Sequence, residues 1–416
     1  MIRLLRHRSN DDFELATFST DDLPRYAVLS HTWTDGDEVT YDELMAGAGK
    51  GKAGYAKIRF CGERAAQDGL QYFWVDTCCI DKSNKAELQQ VIASMFLWYR
   101  RAAKCYVYLA DVAMQDKRGQ TWFPWGKTLQ EPSKHTWKQA FRQSRWFTRG
   151  WTLQELLAPT SVEFYSKDGS RLGDKQSLEQ QIHEITGLPI PALQGGHLSQ
   201  FSVNERMSWI EPRQTKLEED RAYSLLGIFD VNIPLRYSEG MANAFDRLQK
   251  EIEKMEKCIQ DLHLTDPRND KKRIEDTKGG LLEKSNRWVL ENSDFRKWRN
   301  DQQNRLLWIK GDPGKGKTML LCGIIDELNK PTVKTALISY FFCQATDSRL
   351  NNATAVLRGL IYKLVGQQPS LVSHIRKKYD QAGKALFKDT NAWVALSEIF
   401  TNILQTPELK RNPHHH

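Results

Sequence analysis

The sequence predicts an α/β protein in two parts: a doubly wound parallel sheet with helical additions, followed by an incomplete P-loop NTPase α/β domain. Three observations carry the prediction. Short apolar runs alternate with helix-periodic stretches over residues 26–165, the βαβα rhythm of a sheet covered on both faces. A Gly-rich phosphate loop stands much later, at 311–318, between a strand-like and a helix-like segment. Finally, 416 residues are too many for one ordinary core.

Residues 26–30 (YAVLS) are a short apolar run ending in polar residues, which suits a buried parallel strand. Residues 54–69 set Ile58, Cys61, Ala65 and Ala66 toward one helical face. YFWVD at 72–76 is aromatic and β-branched and reads as the second strand. A helix over 85–101 carries Leu88, Val91, Ile92, Met95, Phe96 and Tyr99 at helical intervals. CYVYL at 105–109 is a third strand, 151–157 a helix closed by Ala158-Pro159, and SVEFY at 161–165 a fourth strand. Residues 209–226 are helical in part, and 241–257 form a longer amphipathic helix.

TDPRNDKKRIEDTKGG at 265–280 is polar, charged and broken by Pro and Gly, so it reads as a linker with Lys271, Lys272 and Arg273 on a solvated face. The expected organisation is an effector domain at 1–240, an amphipathic helix and charged linker at 241–280, a truncated P-loop domain at 281–411, and a tag remnant at 412–416. In the P-loop domain, RLLWI at 305–309 and residues 335–342 read as strands around a helical MLLCGIIDEL.

A formal charge of +8 invites a nucleic-acid reading, but 52 acidic residues are interleaved among 60 basic ones. No basic stripe results, which argues against nucleic acid and leaves a mildly cationic surface able to collect anionic ligands. Seven scattered cysteines without a CxxC pair point to a reducing, cytoplasmic setting. The N-terminus turns charged before a signal-peptide core can form, and no apolar run approaches the ~20 residues of a membrane span.

Residues 311–318 (GDPGKGKT) match GxxxxGK[ST] throughout. Gly311, Gly314 and Gly316 let backbone N–H groups curl around phosphate oxygens, and the helix beginning at Lys317 aims its positive end at the same anion. Lys317 would reach the β/γ-phosphates of ATP or GTP, and the Thr318 hydroxyl would hold Mg²⁺. No apolar run ending in paired acids follows, so binding is expected without NTPase turnover.

Three clusters mark the N-terminal part. Ser30-His31-Thr32-Trp33 follows the first strand, at the carboxyl edge where parallel sheets present ligand-facing residues. Asp76-Thr-Cys-Cys-Ile-Asp81 follows the second, and RWFTRGWTLQE at 145–155 follows the third. Trp74 and Trp151 are equally readable as core, Cys78 and Cys79 as small buried residues, Asp81 as a helix cap, and Glu155 as a solvated mid-helix glutamate. A zinc site on His31, Cys78 and Cys79 lacks ligand spacing, while a His31–Cys79 nucleophilic dyad stays open.

LSHTW, YFWVDTCCIDK, AKCYVYLADV, RWFTRGWTLQELLAP and RAYSLLGIFD, in this order, together resemble the fungal heterokaryon-incompatibility (HET) domain over about residues 1–240. The segment GGLL…LLWIKGDPGKGKTMLLCGIIDEL resembles the start of a NACHT module. The resemblance is thus to the front part of HET–NACHT–WD-repeat incompatibility proteins, which are similar to NOD-like immune receptors. It implies a cell-death effector that self-associates through both domains and takes a non-self ligand through a repeat region not present here.

HET domains are also thought to be similar to TIR domains. The helix WTLQEL resembles the W-C-x-x-E-L helix of NAD-cleaving TIR enzymes, with Thr152 in place of its cysteine. That resemblance implies Glu155 as the catalytic residue of an NAD⁺ nucleosidase, ionised and near the ribose. It implies Ser30, His31, Trp33, Asp76, Cys79, Asp81, Arg149 and Trp151 as substrate-binding candidates, with Trp33 stacking on a base and Arg149 pairing with pyrophosphate. A non-catalytic adaptor that signals by self-association is the alternative.

Overall fold

The computed structural model describes residues 1–9, 12–20, 22–114, 136–280, 287–300, 306–330, 337–406 and 409. The chain divides into two compact units, Met1–Ile252 and Glu253–His416.

Seven strands form one sheet in the first unit: β1 (Ile2–Ser9), β2 (Asp12–Phe18), β3 (Tyr26–His31), β4 (Tyr72–Trp74), β5 (Lys104–Leu109), β6 (Val162–Ser166) and β7 (Arg171–Asp174). Their order is β2-β1-β4-β3-β5-β6-β7. The middle, β4-β3-β5-β6, is parallel as expected, with Val28 opposite both Trp74 and Cys105. Both flanks are antiparallel, so the sheet is mixed rather than wholly parallel: β1 pairs β2 and β4, and β7 turns back along β6. Every residue of β3 is buried, as a strand covered on two faces requires.

Around the sheet lie α1 (Tyr41–Met45), α2 (Ala53–Gln67), α3 (Lys85–Arg101), α4 (Thr136–Arg142), α5 (Thr152–Leu157), α6 (Glu179–Thr186), α7 (Ile190–Leu193), α8 (Val203–Ser208), α9 (Asp220–Tyr223) and α10 (Leu226–Phe229). Asn84 starts α3 by accepting from the backbone N–H groups of Ala86 and Glu87, and Val91, Ile92, Met95, Phe96, Trp98 and Tyr99 form its buried face. Tyr99 donates to the Leu29 carbonyl and Tyr26 to that of Trp98, tying α3 to β3. Residues 209–226 are helical in part, as expected: α9 lies within them and α10 begins at Leu226, with irregular chain before α9.

The division between units falls within α11 (Met241–Leu262). In the second unit follow α12 (Pro267–Thr277), α13 (Arg287–Glu291), α14 (Ser293–Asn300), α15 (Lys317–Leu328), α16 (Ala353–Gln367), α17 (Val372–Ala382) and α18 (Ala392–Leu404). The segment expected as a linker is therefore largely the helix α12. Asp266 caps it by accepting from the Arg268 N–H, Pro267 occupies its first turn, and Lys271 is buried with ion pairs to Glu275 (2.5 Å) and Asp326 (2.8 Å) rather than solvated.

No strand occurs among the described residues of the second unit. Of the two strands expected there, residues 306–309 and 337–342 are irregular, and 305, 335 and 336 lie outside the described residues. In the first, Leu306 and Trp308 are 80% and 79% exposed. The tag remnant at 412–416 also lies outside the described residues.

Candidate functional site

β3 is the central parallel strand, and its last two residues, Ser30 and His31, end at the carboxyl edge of the sheet. α5 brings Glu155 to the same edge, and its six residues are held at both ends. At the start, Gly150 donates to the Gln214 carbonyl at 2.8 Å, and a Cβ there would fall 2.4 Å from Thr215 Cγ2. The Thr152 hydroxyl reaches the carbonyls of Trp146 (2.7 Å) and Arg149 (2.8 Å) and accepts from buried Arg213 at 2.8 Å. At the far end, buried Lys175 donates to the carbonyls of Leu156 and Pro159 at 3.3 and 2.8 Å, a cation on orphan helix carbonyls.

Glu155 is only 6% exposed, which corrects the solvated alternative. Its Oε2 accepts from the Ser30 hydroxyl, and Ser30 Oγ in turn accepts from the Trp146 indole N–H at 2.7 Å. Burial, then the charge of Asp76, pushes the Glu155 carboxyl up to about 8, against smaller opposing effects of Ser30, Arg213 and Arg149. The resting carboxyl is therefore mainly protonated at neutral pH, contrary to the ionised state expected from sequence. Burial also holds the Arg213 guanidinium down at about 10, with Glu155 opposing.

Asp76, half-buried, acts on Glu155 by its charge. Its Oδ2 accepts from the Trp33 indole N–H at 3.0 Å, and Oδ1 lies 3.8 Å from His31 Nδ1. His31 is buried, with Nε2 3.4 Å from Glu38 Oε2. Glu38 also pairs with buried Lys57. Burial alone would push the Glu38 carboxyl up, but His31 and Lys57 together hold it at about 2. Trp33 itself is 37% exposed, with the Lys82 ammonium 3.5 Å from its ring centre.

The other sequence candidates serve mainly as framework. Cys79 is buried and its sulfur accepts from the Val75 N–H at 3.4 Å; among the described residues no hydrogen bond joins it to His31, so the two form no dyad here. Among the described residues no group of three or more His, Cys, Asp or Glu could hold a metal. Asp81 accepts from the Ser83 N–H and hydroxyl, while the α3 cap is Asn84. Arg149 contributes its carbonyl to Thr152 and Arg213 and its charge to Glu155. Half-buried Trp151 begins α5 and hydrogen-bonds Asp220. Trp146, Arg213, Glu38, Lys57, Lys82 and Lys175 were not among the sequence candidates; Trp146 lay inside a quoted cluster, where it read as one aromatic among several, and Lys82 ended the quoted YFWVDTCCIDK.

In the P-loop, Gly314 and Gly316 have φ of +79° and +78°, the left-handed backbone that turns successive N–H groups inward. Gly316 caps α15, and Lys317 folds its ammonium over the loop onto the carbonyls of Gly311 (2.5 Å) and Asp312 (2.8 Å). Residues 311–318 are all exposed.

Residues 26–155 match the family profile of the heterokaryon incompatibility protein (HET), and residues 284–413 that of nephrocystin 3, N-terminal. Over 389 residues, 93% of this chain, the sequence is 59% identical to the vegetative incompatibility protein HET-E-1 of Podospora anserina. The chain is HET-E-like. This HET-E-like chain spans 28% of that relative's length. No solved structure matches it significantly. The HET match takes in Ser30, Asp76, Trp146 and Glu155, the residues gathered at the carboxyl edge of the sheet.

Proposed function

We propose that the chain is the effector-and-switch part of a fungal incompatibility protein, in which a TIR-like N-terminal unit cleaves NAD⁺ in the cytoplasm when the P-loop unit clusters it. The observation that carries this reading is Glu155: a carboxyl perturbed by burial and by a second acid, set at the carboxyl edge of a parallel sheet, where sites of altered acidity concentrate. The likeness to an incompatibility protein and the WTLQEL helix support it.

In the reaction, the C–N bond between ribose and the nicotinamide ring breaks. The ring keeps the electron pair and leaves neutral, so it needs no general acid. Water adds to the ribosyl carbon and releases one proton. An ionised Glu155 would stabilise the oxocarbenium-like transition state, with Asp76 orienting the ribose. Because the resting carboxyl is buried and mainly protonated, activation has to expose and ionise it; clustering is the proposed means.

The test is nicotinamide release from NAD⁺ by the full chain, free and artificially clustered. Glu155→Ala is expected to reduce release at least about a hundredfold; an undiminished rate would overturn the assignment. The same burial of Glu155 favours a second reading, a non-catalytic adaptor. Failure of the clustered parent to release nicotinamide would support that one.

For the second unit we propose binding of ATP or GTP with Mg²⁺. The left-handed Gly314 and Gly316 supply inward N–H groups, Lys317 would hold the β/γ-phosphates, and Thr318 would hold the ion. Lys317→Ala should weaken binding of a fluorescent nucleotide about tenfold or more. Equal titrations of variant and parent would refute the site.

A further inference from the structure

We infer that the exposed face of Trp33 is a subsite for a planar aromatic cation, covered in the resting chain by the protein's own Lys82. The naming of a pyridinium ring as occupant rests on the NAD⁺ reading above; the cation chemistry stands on the geometry alone.

Trp33 lies just past β3, next to His31 and Thr32, and its ring is fixed at the edge by the bond from its N–H to Asp76 Oδ2 at 3.0 Å. At 37% exposure it leaves a face to solvent, and the Lys82 ammonium sits 3.5 Å from the ring centre on that aromatic surface. Indole is the strongest natural partner for a cation.

The surrounding charges favour a cation as well. Glu38 pairs with Lys57, and its carboxylate still acts on the Lys82 ammonium. Burial disfavours the Lys82 ammonium, while the charges of Asp76 and Glu38 favour it; Asp76 Oδ1 is buried without a hydrogen-bond partner among the described residues. A flexible lysine on an aromatic face is readily displaced, because its ammonium can return to water. A flat ring can then cover the indole more fully than an ammonium does.

The subsite distinguishes substrate from product. Nicotinamide is cationic while bonded to ribose and neutral once the bond breaks, so the attraction to Trp33 and Asp76 ends with the chemical step. Lys82 can then reoccupy the face. Lys82 thus competes with substrate and assists product release.

The experiment is calorimetric titration of the full chain with 1-methylnicotinamide, a cation, and with nicotinamide, its neutral counterpart. The cation should bind about tenfold more tightly, Lys82→Met should strengthen it about threefold, and Trp33→Leu should remove the preference. Trp33→Leu removes one hydrogen bond at the sheet edge, so the melting temperature should fall by only a few degrees, about 2–4 °C, and the fold should persist. Equal binding of the two probes, or no gain on Lys82→Met, would overturn the inference. NAD⁺ cleavage without any probe preference removes this inference alone; probe preference without cleavage keeps it and removes the NAD⁺ reading.

Discussion

Glutamine in place of Glu155 is expected to leave stability nearly unchanged near pH 4 and to raise it by roughly 3–5 kcal/mol above about pH 8. The sign follows from where the proton sits. The folded carboxyl is pushed up to about 8 by burial and Asp76, from an ordinary value of 4.5. Below the ordinary value both states are protonated, and the folded state loses nothing. As pH rises from 4.5 toward about 8, the unfolded chain ionises while the folded one keeps its proton, so stability falls until the folded carboxyl also ionises.

Glutamine is neutral throughout and can still accept from Ser30. Asp220 and Asp230 are also pushed up by burial, so the parent's slope is a sum. Only the difference between parent and variant isolates Glu155. Burial holds buried Lys175 down at about 8, and its effect therefore falls at higher pH and with opposite sign. Urea unfolding of both proteins across this range checks the expectation; parallel stability curves would contradict the buried, protonated carboxyl.

The second large effect is steric. Gly227 in α10 faces α3 so closely that a Cβ would lie 2.1 Å from Phe96 Cβ and 2.5 Å from its Cγ. Neither helix can yield easily: Leu226, Ile228 and Phe229 are buried on one, and Phe96 is buried on the other. Gly227→Ala should cost about 3 kcal/mol, and melting of the N-terminal unit should fall by roughly 6–12 °C. The doubly substituted Gly227→Ala/Phe96→Gly should cost less than the sum of the singles, since only loss of the whole Phe96 side chain, Cβ included, removes the clash. Additive losses would place the damage elsewhere.

The middle of the sheet was legible because its signals are local. Residues 26–30 and 105–109 are apolar runs, and the six buried residues of α3 repeat at helical spacing. The flanks were not, because their residues carry no clean apolar run or alternation. β1 mixes Leu4 and Leu5 with Arg3 and Arg6, and becomes a strand by pairing with β2 and, through Leu5 and Arg6, with β4 some seventy residues on. The 265–280 segment misled in the opposite way. Its charges suggested solvent, yet Lys271 is buried by partners that composition alone does not reveal.

The site divides along the same line. Ser30, Asp76 and Glu155 could be listed from motifs, but the Trp146–Ser30–Glu155 chain joins residues over a hundred positions apart. The protonation of Glu155 depends on that enclosure, which no local pattern encodes.

Thr152, met first as a departure from the W-C-x-x-E-L pattern, gains a reason from its neighbour. Its hydroxyl accepts from the buried Arg213 guanidinium at 2.8 Å while reaching backbone carbonyls of its own helix entry. Sulfur is a poor acceptor for so strong a donor, and a buried guanidinium stripped of an acceptor is costly. Positions 152 and 213 thus act as a pair: anyone changing threonine to cysteine here has reason to exchange the arginine in the same step.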